Sequence, residues 1–274
     1  MKYENPQLPE GVNYSDEHPL KDFVLMLLVV AGATVAIVVT LFLLAGFLVG
    51  YIPFSTEVSL ADSLMADETR AHPSEQQRYL QNLADQLVQA EQLPADMSVT
   101  VHYVDDDTVN AFATLGGHIF MHRGLLEKLP NENALAMVLA HEIAHIKHRD
   151  PIIAAGRGVT IMLALGSVLG LGDSAFSNQL IGHTTTLTSL AFNRDQEQAA
   201  DEQAAQALLQ HYGHLSGSAA LFDILEQEST LEPPEFLSSH PLTEKRLRRL
   251  EQNAKSQQGK TTSLPAGLFG DAPD

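Results

Sequence analysis

From Phe23 to Ile52 the chain runs for 30 residues without a charged side chain, and Pro53 closes the run. As a helix it would exceed the roughly 30 Å hydrocarbon core of a bilayer, which predicts a tilted span or one with an interfacial end. A cleaved leader has a short basic head and a shorter apolar core. Here the 22 residues ahead of the run are polar and acidic, so residues 23–52 read as a retained single-pass transmembrane anchor. Gly32 and Ala36 would let a second helix approach closely, although such residues are also ordinary in membrane helices. Lys21 precedes the run, and the first basic residue after it is Arg70. The positive-inside rule then places the N-terminus in the cytoplasm and the bulk of the chain outside it. In a bacterial inner membrane that side is the periplasm.

The 274 residues carry 34 acidic and 16 basic side chains, a net charge of −18. Phosphate neutralisation needs a basic face, so this balance argues against a general nucleic-acid binder and against docking on anionic lipid by charge alone. There are no cysteines. That excludes disulfide frameworks, thiolate metal sites and cysteine nucleophiles. Beyond the anchor, residues 53–255 suffice for one well-buried domain. The tail 256–274 is polar with Gly and Pro, and is expected to be disordered.

Within the domain, Tyr79, Leu80, Leu83, Leu87 and Val88 form a 3.6-residue stripe, predicting a helix from Ser74 to Gln92 that Pro94 ends. Val99–Val104 alternates and reads as a strand. Asp105, Asp106 and Asp107 lack the EF-hand spacing and read as a solvated turn. Ile119–His122 is a second short strand after Gly116 and Gly117. Helices are expected over Asn131–His148, with Asn131 as N-cap, over Ser189–His211 and over Leu242–Leu250. Val159–Gly172 is a second apolar run, too short for an ordinary span. It reads as a hydrophobic hairpin or lid at the cleft or membrane surface, or equally as a core helix.

The chemistry concentrates in His141-Glu142-Ile143-Ala144-His145. Two histidines four apart project from one helix face and can share one Zn²⁺. Glu142, beside the first, can act as general base toward a water on that metal. Glu197 and Asp201 share a face on a later helix. Glu197 would complete a His₂Glu site for one Zn²⁺ per chain, with Asp201 fixing a histidine tautomer. The alternative is a solvated acidic helix face, since Asp195 and Glu202 lie nearby.

Four segments in order resemble the HtpX-type zinc metallopeptidases, the group that includes the CAAX prenyl proteases and the BepA and OMA-type membrane quality-control proteases. They are Asn110-Ala111-Phe112-Ala113 with Gly116-Gly117-His118-Ile119-Phe120 and Gly124-Leu125-Leu126; the HExxH helix; Arg194-x-x-Glu197-x-x-x-Asp201; and Ser239-His240-Pro241 with Arg246. Together they cover about Pro53 to Leu250. The resemblance implies an α+β, mainly helical gluzincin domain with a small sheet, in which Glu197 is the third zinc ligand. It also implies an endopeptidase acting on misfolded or unassembled membrane or envelope proteins. Where that family often has Ser before the Arg, this chain has Asn193, which bears on the local helix cap. The multiple spans of some members and the TPR extension of others are not seen.

The strand beginning at His118 is expected to be a sheet edge beside the cleft, with Asn110, Gly117, His118, Ile119 and Phe120 as substrate-binding residues. An edge recognises substrate backbone by strand addition; a packed strand inside the domain is the alternative. His240, held extended by Pro241, is expected to donate to the oxyanion or to cap the metal at rest, unless it lies on the surface. Arg246 is expected to stabilise charge at the site or to form a structural ion pair. Two rivals remain. An intramembrane protease also uses HExxH, but Glu132, Lys147, His148, Arg149 and Asp150 flank the motif and are too polar for lipid depth. A membrane-tethered chaperone or scaffold with a structural metal would have no use for Glu142.

Overall fold

The computed structural model describes residues 19–49, 51–65, 73–158, 192–221, 224, 235–241 and 243–269. Helix α1 (Pro19–Val49) carries the uncharged run. Its apolar side chains face outward, from Phe23 to Leu48. Among the described residues it is the helix long and apolar enough to cross a membrane. Helix α2 (Phe54–Met65) follows after a four-residue link.

The domain is mainly helical around a small sheet. Helix α3 (Glu75–Glu91) starts where Ser74 Oγ accepts the Gln77 N–H, and it stops at Gln92 in the left-handed region. Strands β1 (Thr100–Val104), β2 (Ala111–Thr114) and β3 (His118–His122) follow, with the short helix α4 (Arg123–Leu126) after them. Helix α5 (Glu132–His148) is capped by Asn131 Oδ1, which accepts the Ala134 N–H, and ends at Arg149 with φ 62°. A further helix, α6, is described over 150–158. Next come α7 (Arg194–Tyr212), α8 (Glu235–Ser239) and α9 (Glu244–Ser256). Asn193 caps α7 in a reciprocal capping box with Gln196, so asparagine serves as the local cap. Val159–Gly172, and the start of the helix expected from Ser189, lie outside the described residues.

The sheet order is β1-β3-β2, with β1 parallel and β2 antiparallel to β3. This corrects the expectation for the strand beginning at His118. It is the central strand, its backbone groups engaged on both sides, and β1 and the short β2 form the two edges. A four-residue Ala-Phe-Ala-Thr strand buried on both faces shows no alternation, which is why the sequence pattern does not reveal it.

One sheet face packs Val101, Ala111, Ala113, Ile119 and Met121 against Leu80 and Leu87 of α3, Leu135, Leu139 and Ile143 of α5, and Leu208 of α7. The other face carries Phe112 and Phe120, packed with Ala61 of α2 and Ile152 of α6. Burying each such large side chain contributes about 1.5–3 kcal/mol. Between β2 and β3 the chain turns through Gly116 (φ 73°) and Gly117 (φ 79°). A Cβ on Gly116 would meet Ala61 Cβ at 2.7 Å, and one on Gly117 would meet the Ser98 carbonyl oxygen at 1.9 Å. Both positive φ and close approach therefore demand glycine here.

Residues 257–269, in the tail expected to be disordered, run across the domain and bond to it. Glu132 N–H donates to Thr262 O at 2.9 Å, Thr262 N–H to Asn133 Oδ1 at 2.8 Å, and Leu215 N–H to Gln257 O at 2.8 Å. Phe269 is 6 % exposed and meets Tyr79 edge to face. Leu264, Leu268 and Phe269 supply the apolar contact that outweighs the polar composition.

Candidate metal centre

Helix α5 brings His141 and His145 to one face, and α7 brings Glu197 against them. The chain before α9 adds His240, held by its N–H donating to Phe236 O at 2.9 Å and by stacking on the Phe236 ring. One donor atom from each of His141, His145, Glu197 and His240 lies within 4.8 Å of the others, and all four residues are buried. His141 Nε2 and His145 Nε2 are 3.0 Å apart. Glu197 lies 3.5 Å from His141 Nε2 and 3.4 Å from His145 Nε2. His240 Nδ1 is 2.9 Å from Glu197 Oε1 and 3.3 Å from His141 Nε2.

The far side of each ring explains why these atoms converge. His145 Nδ1 is 2.8 Å from Asp150 Oδ2, and Gln196 donates to the other Asp150 oxygen. His141 Nδ1 is 3.2 Å from Asp201 Oδ1. A carboxylate on Nδ1 fixes the proton there and leaves the Nε2 lone pair bare. Two bare lone pairs 3.0 Å apart repel unless a cation lies between them.

Where no cation lies between the rings, the carboxylates draw a second proton onto His141. Burial opposes protonation of His141, but Asp201 and Glu197 outweigh it and push its pKa up to about 10. Burial opposes charge on Glu197 too, yet the three imidazoles hold its carboxyl far below the usual carboxylate range. Nitrogen donors with one carboxylate suit zinc, so the residues present fit that ion.

Glu142 is fully buried beside this cluster. Ala113 N–H donates to its Oε2 at 2.7 Å, while Oε1 has no hydrogen-bond partner among the described residues. His240 Nε2 is 3.4 Å from that free oxygen. Burial raises the Glu142 pKa, with His240 and His141 pulling the other way. The Ala113 N–H points off the free edge of β2, so this edge borders the cluster.

Arg246 sits behind the donors and does not face Glu142. Its Nε and Nη2 donate to the two Asp201 oxygens at 2.7 and 2.9 Å, and its Nη1 lies 2.6 Å from Glu197 Oε2. Nη1 also donates to the Pro241 carbonyl at 2.9 Å, tying the His240 segment to α7. Burial opposes charge on Asp201, but Arg246 and His141 prevail and lower its pKa.

The residues expected to bind substrate make these contacts within the domain. His118 pairs with His102 at 2.8 Å, Phe120 stacks between His102 and Phe112, and Ile119 is in the core. Gly117 packs on Ser98. Asn110 is buried and its carbonyl accepts the His122 N–H at 3.2 Å. Sequence reasoning missed Asp150, the Ala113 N–H and the aromatic floor of Phe192, on which His145 stacks at 4.1 Å. An acid just past the end of the HExxH helix was the one available signal.

The sequence profile of Peptidase family M48 matches residues 74–254. The beta-barrel assembly-enhancing protease of Escherichia coli (strain K12) is 33% identical over 159 residues, covering 53% of this chain and 32% of that one. The mitochondrial metalloendopeptidase OMA1 of Schizosaccharomyces pombe is 28% identical over 162 residues, covering 58% and 47%. The protease HtpX homolog of Aquifex aeolicus is 28% identical over 239 residues, covering 68% and 75%. The chain thus spans about a third of the length of the first of these relatives.

Proposed function

The chain belongs to Peptidase family M48, a family of zinc metallopeptidases, and from that premise we propose that it is a membrane-anchored zinc endopeptidase. The observation that carries this is Glu142 Oε1, buried, unpaired and beside a four-donor cluster. His141, His145 and Glu197 would hold the ion, with His240 available as a fourth donor. When bound, zinc supplies a Lewis acid that polarises the peptide carbonyl and acidifies a water. Glu142 takes the proton of the attacking water at Oε1 and returns it to the leaving amine. The Ala113 N–H holds Oε2 and so aims Oε1. His240, once off the cluster, donates to the developing oxyanion. Asp150, Asp201 and Arg246 orient the ligands and touch no reacting atom.

An extended substrate pairs with the free edge of β2 beside Ala113, in place of the edge expected from His118. The partners are unfolded or misassembled envelope proteins, in keeping with a relative named for β-barrel assembly. The setting is a bacterial inner membrane crossed once by α1, with the catalytic domain in the periplasm. Cleavage of an unfolded protein by the zinc-loaded full chain, lost in Glu142→Gln with zinc retained, tests the reading. Equal cleavage by the two proteins would overturn it.

A further inference from the structure

Arg149 joins the membrane end of the anchor to the end of the helix that carries Glu142. Helix α1 stops at Val49. Tyr51 N–H donates to Leu48 O at 3.0 Å, so the chain turns at once. Tyr51 packs on Phe47 at 5.4 Å, both largely exposed, an aromatic pair of the kind found where a span meets the headgroups. One residue later the Ile52 carbonyl accepts from Arg149 Nη1 at 3.2 Å. The Arg149 guanidinium also covers the Phe54 ring at 5.5 Å and pairs with Glu57 at 2.8 Å.

Glu57, 2 % exposed, uses its other oxygen to accept the Gly116 N–H at 3.2 Å. Helix α2 is therefore wedged between the end of α5 and the end of β2. Those are the two elements that place Glu142 and its donor Ala113. Helix α6 then lies beside α1, with Arg157 over the Phe42 ring at 5.2 Å. Arg157 on Phe42 thus ties α6 to α1 across the link 50–53, while Arg149 ties the end of α5 to Ile52 within it.

Glu142 lies seven residues before Arg149, about 10 Å along the helix axis. One arginine side chain and a hydrogen bond complete the path to Ile52. The cleft therefore lies no more than about 20 Å from the end of the anchor, a gap that about six extended residues cross.

We propose that α2 and Arg149 hold the cleft at a fixed, short height above the bilayer, so that membrane-tethered substrates are selected by the distance of the scissile bond from the membrane. This rests on the anchor and endopeptidase readings above. A soluble unfolded protein has no such constraint.

The test uses the zinc-loaded full chain in liposomes. The substrates are single-span reporters with one cleavable unstructured segment, raised from the bilayer by rigid helical spacers. Cleavage should peak for a spacer of at most about 20 Å and fall at least about tenfold for one of about 60 Å, where the segment is out of reach. Soluble casein should be cleaved throughout. Inserting six Gly and Ser residues between Tyr51 and Ile52 leaves the domain's own contacts intact and should flatten the profile. A flat profile for the parent chain, with casein cleaved, would overturn the proposal. So would an insertion variant that kept the sharp peak. Failure of the parent chain to cleave either substrate would instead overturn the endopeptidase reading, and the proposal with it.

Discussion

Ala113 donates its backbone N–H to Glu142 Oε2 at 2.7 Å across the gap between the sheet edge and the HExxH helix. The bond fixes one carboxylate oxygen and leaves the other facing His240 and the metal donors. It also explains why β2 sits where it does. Its free edge must pass close to α5 for a backbone N–H to reach that side chain.

Glu142→Gln keeps an oxygen for the Ala113 N–H and nearly the same volume, but it cannot accept a proton at neutral pH. Turnover of an unfolded protein should drop by about 10²–10⁴, the usual share of general-base catalysis. Zinc content and thermal unfolding should stay at parental values. His240→Ala should cost less, because His141, His145 and Glu197 still hold the ion. Steady-state kinetics of the three proteins, with zinc measured on the same samples, decide the ranking. A larger loss in His240→Ala than in Glu142→Gln would contradict these roles.

The purified full chain should bind about one zinc, and His141→Ala, His145→Ala and Glu197→Ala should each lose it. Asp201→Asn and Arg246→Lys should retain zinc but bind it about 10–100-fold more weakly, because the orienting partners of the ligands are disturbed. Arg246→Lys keeps the charge while removing the bidentate fork on Asp201. Chelator competition measures both. Unchanged affinity in Arg246→Lys would show that the fork on Asp201 and Glu197 does not orient the ligands.

His141, His145, Glu197 and the cap at Asn131 were legible because their signals are local. They are spacings of four on a helix, or a polar residue one step before a stripe. What the sequence hid is non-local. The central position of β3 depends on β2, whose four residues are buried on both faces. Asp150 reaches His145 only because Arg149 takes φ 62° and turns the chain back after α5. The tail looked polar because its three apolar anchors, Leu264, Leu268 and Phe269, are spread among Gly, Pro and Ser.

Phe269 distinguishes an ordered strap from a loose tail. It is buried against Tyr79, and Gln76 Nε2 donates to the neighbouring Leu268 carbonyl at 3.1 Å. Phe269→Ala should destabilise the domain by about 3 kcal/mol, the lower end for a buried phenylalanine. Truncation after Ser256 should cost at least as much, since it also removes the Thr262 bonds at the start of α5. Chemical unfolding of the full chain in detergent reads both. An unchanged midpoint in Phe269→Ala would mean that the strap does not hold the domain together.

Glu91 makes stability depend on pH. It is 1 % exposed near the end of α3, and neither carboxyl oxygen has a hydrogen-bond partner among the described residues. Burial raises its pKa to about 8 from 4.5, against the pull of Lys147 and His141. The folded chain therefore holds a proton that the unfolded chain releases. Stability from this group is fully present below about pH 4.5 and is lost as pH rises through about 8, with a total change of a few kcal/mol. Glu91→Gln is neutral at every pH and abolishes that loss. Its melting temperature should exceed the parent's by a margin that is small at pH 5, grows through pH 7 and levels off above pH 8. Comparing the two proteins at matched pH cancels the titration of every other group. A constant margin from pH 5 to 9 would show that Glu91 ionises in the folded chain at its ordinary pKa.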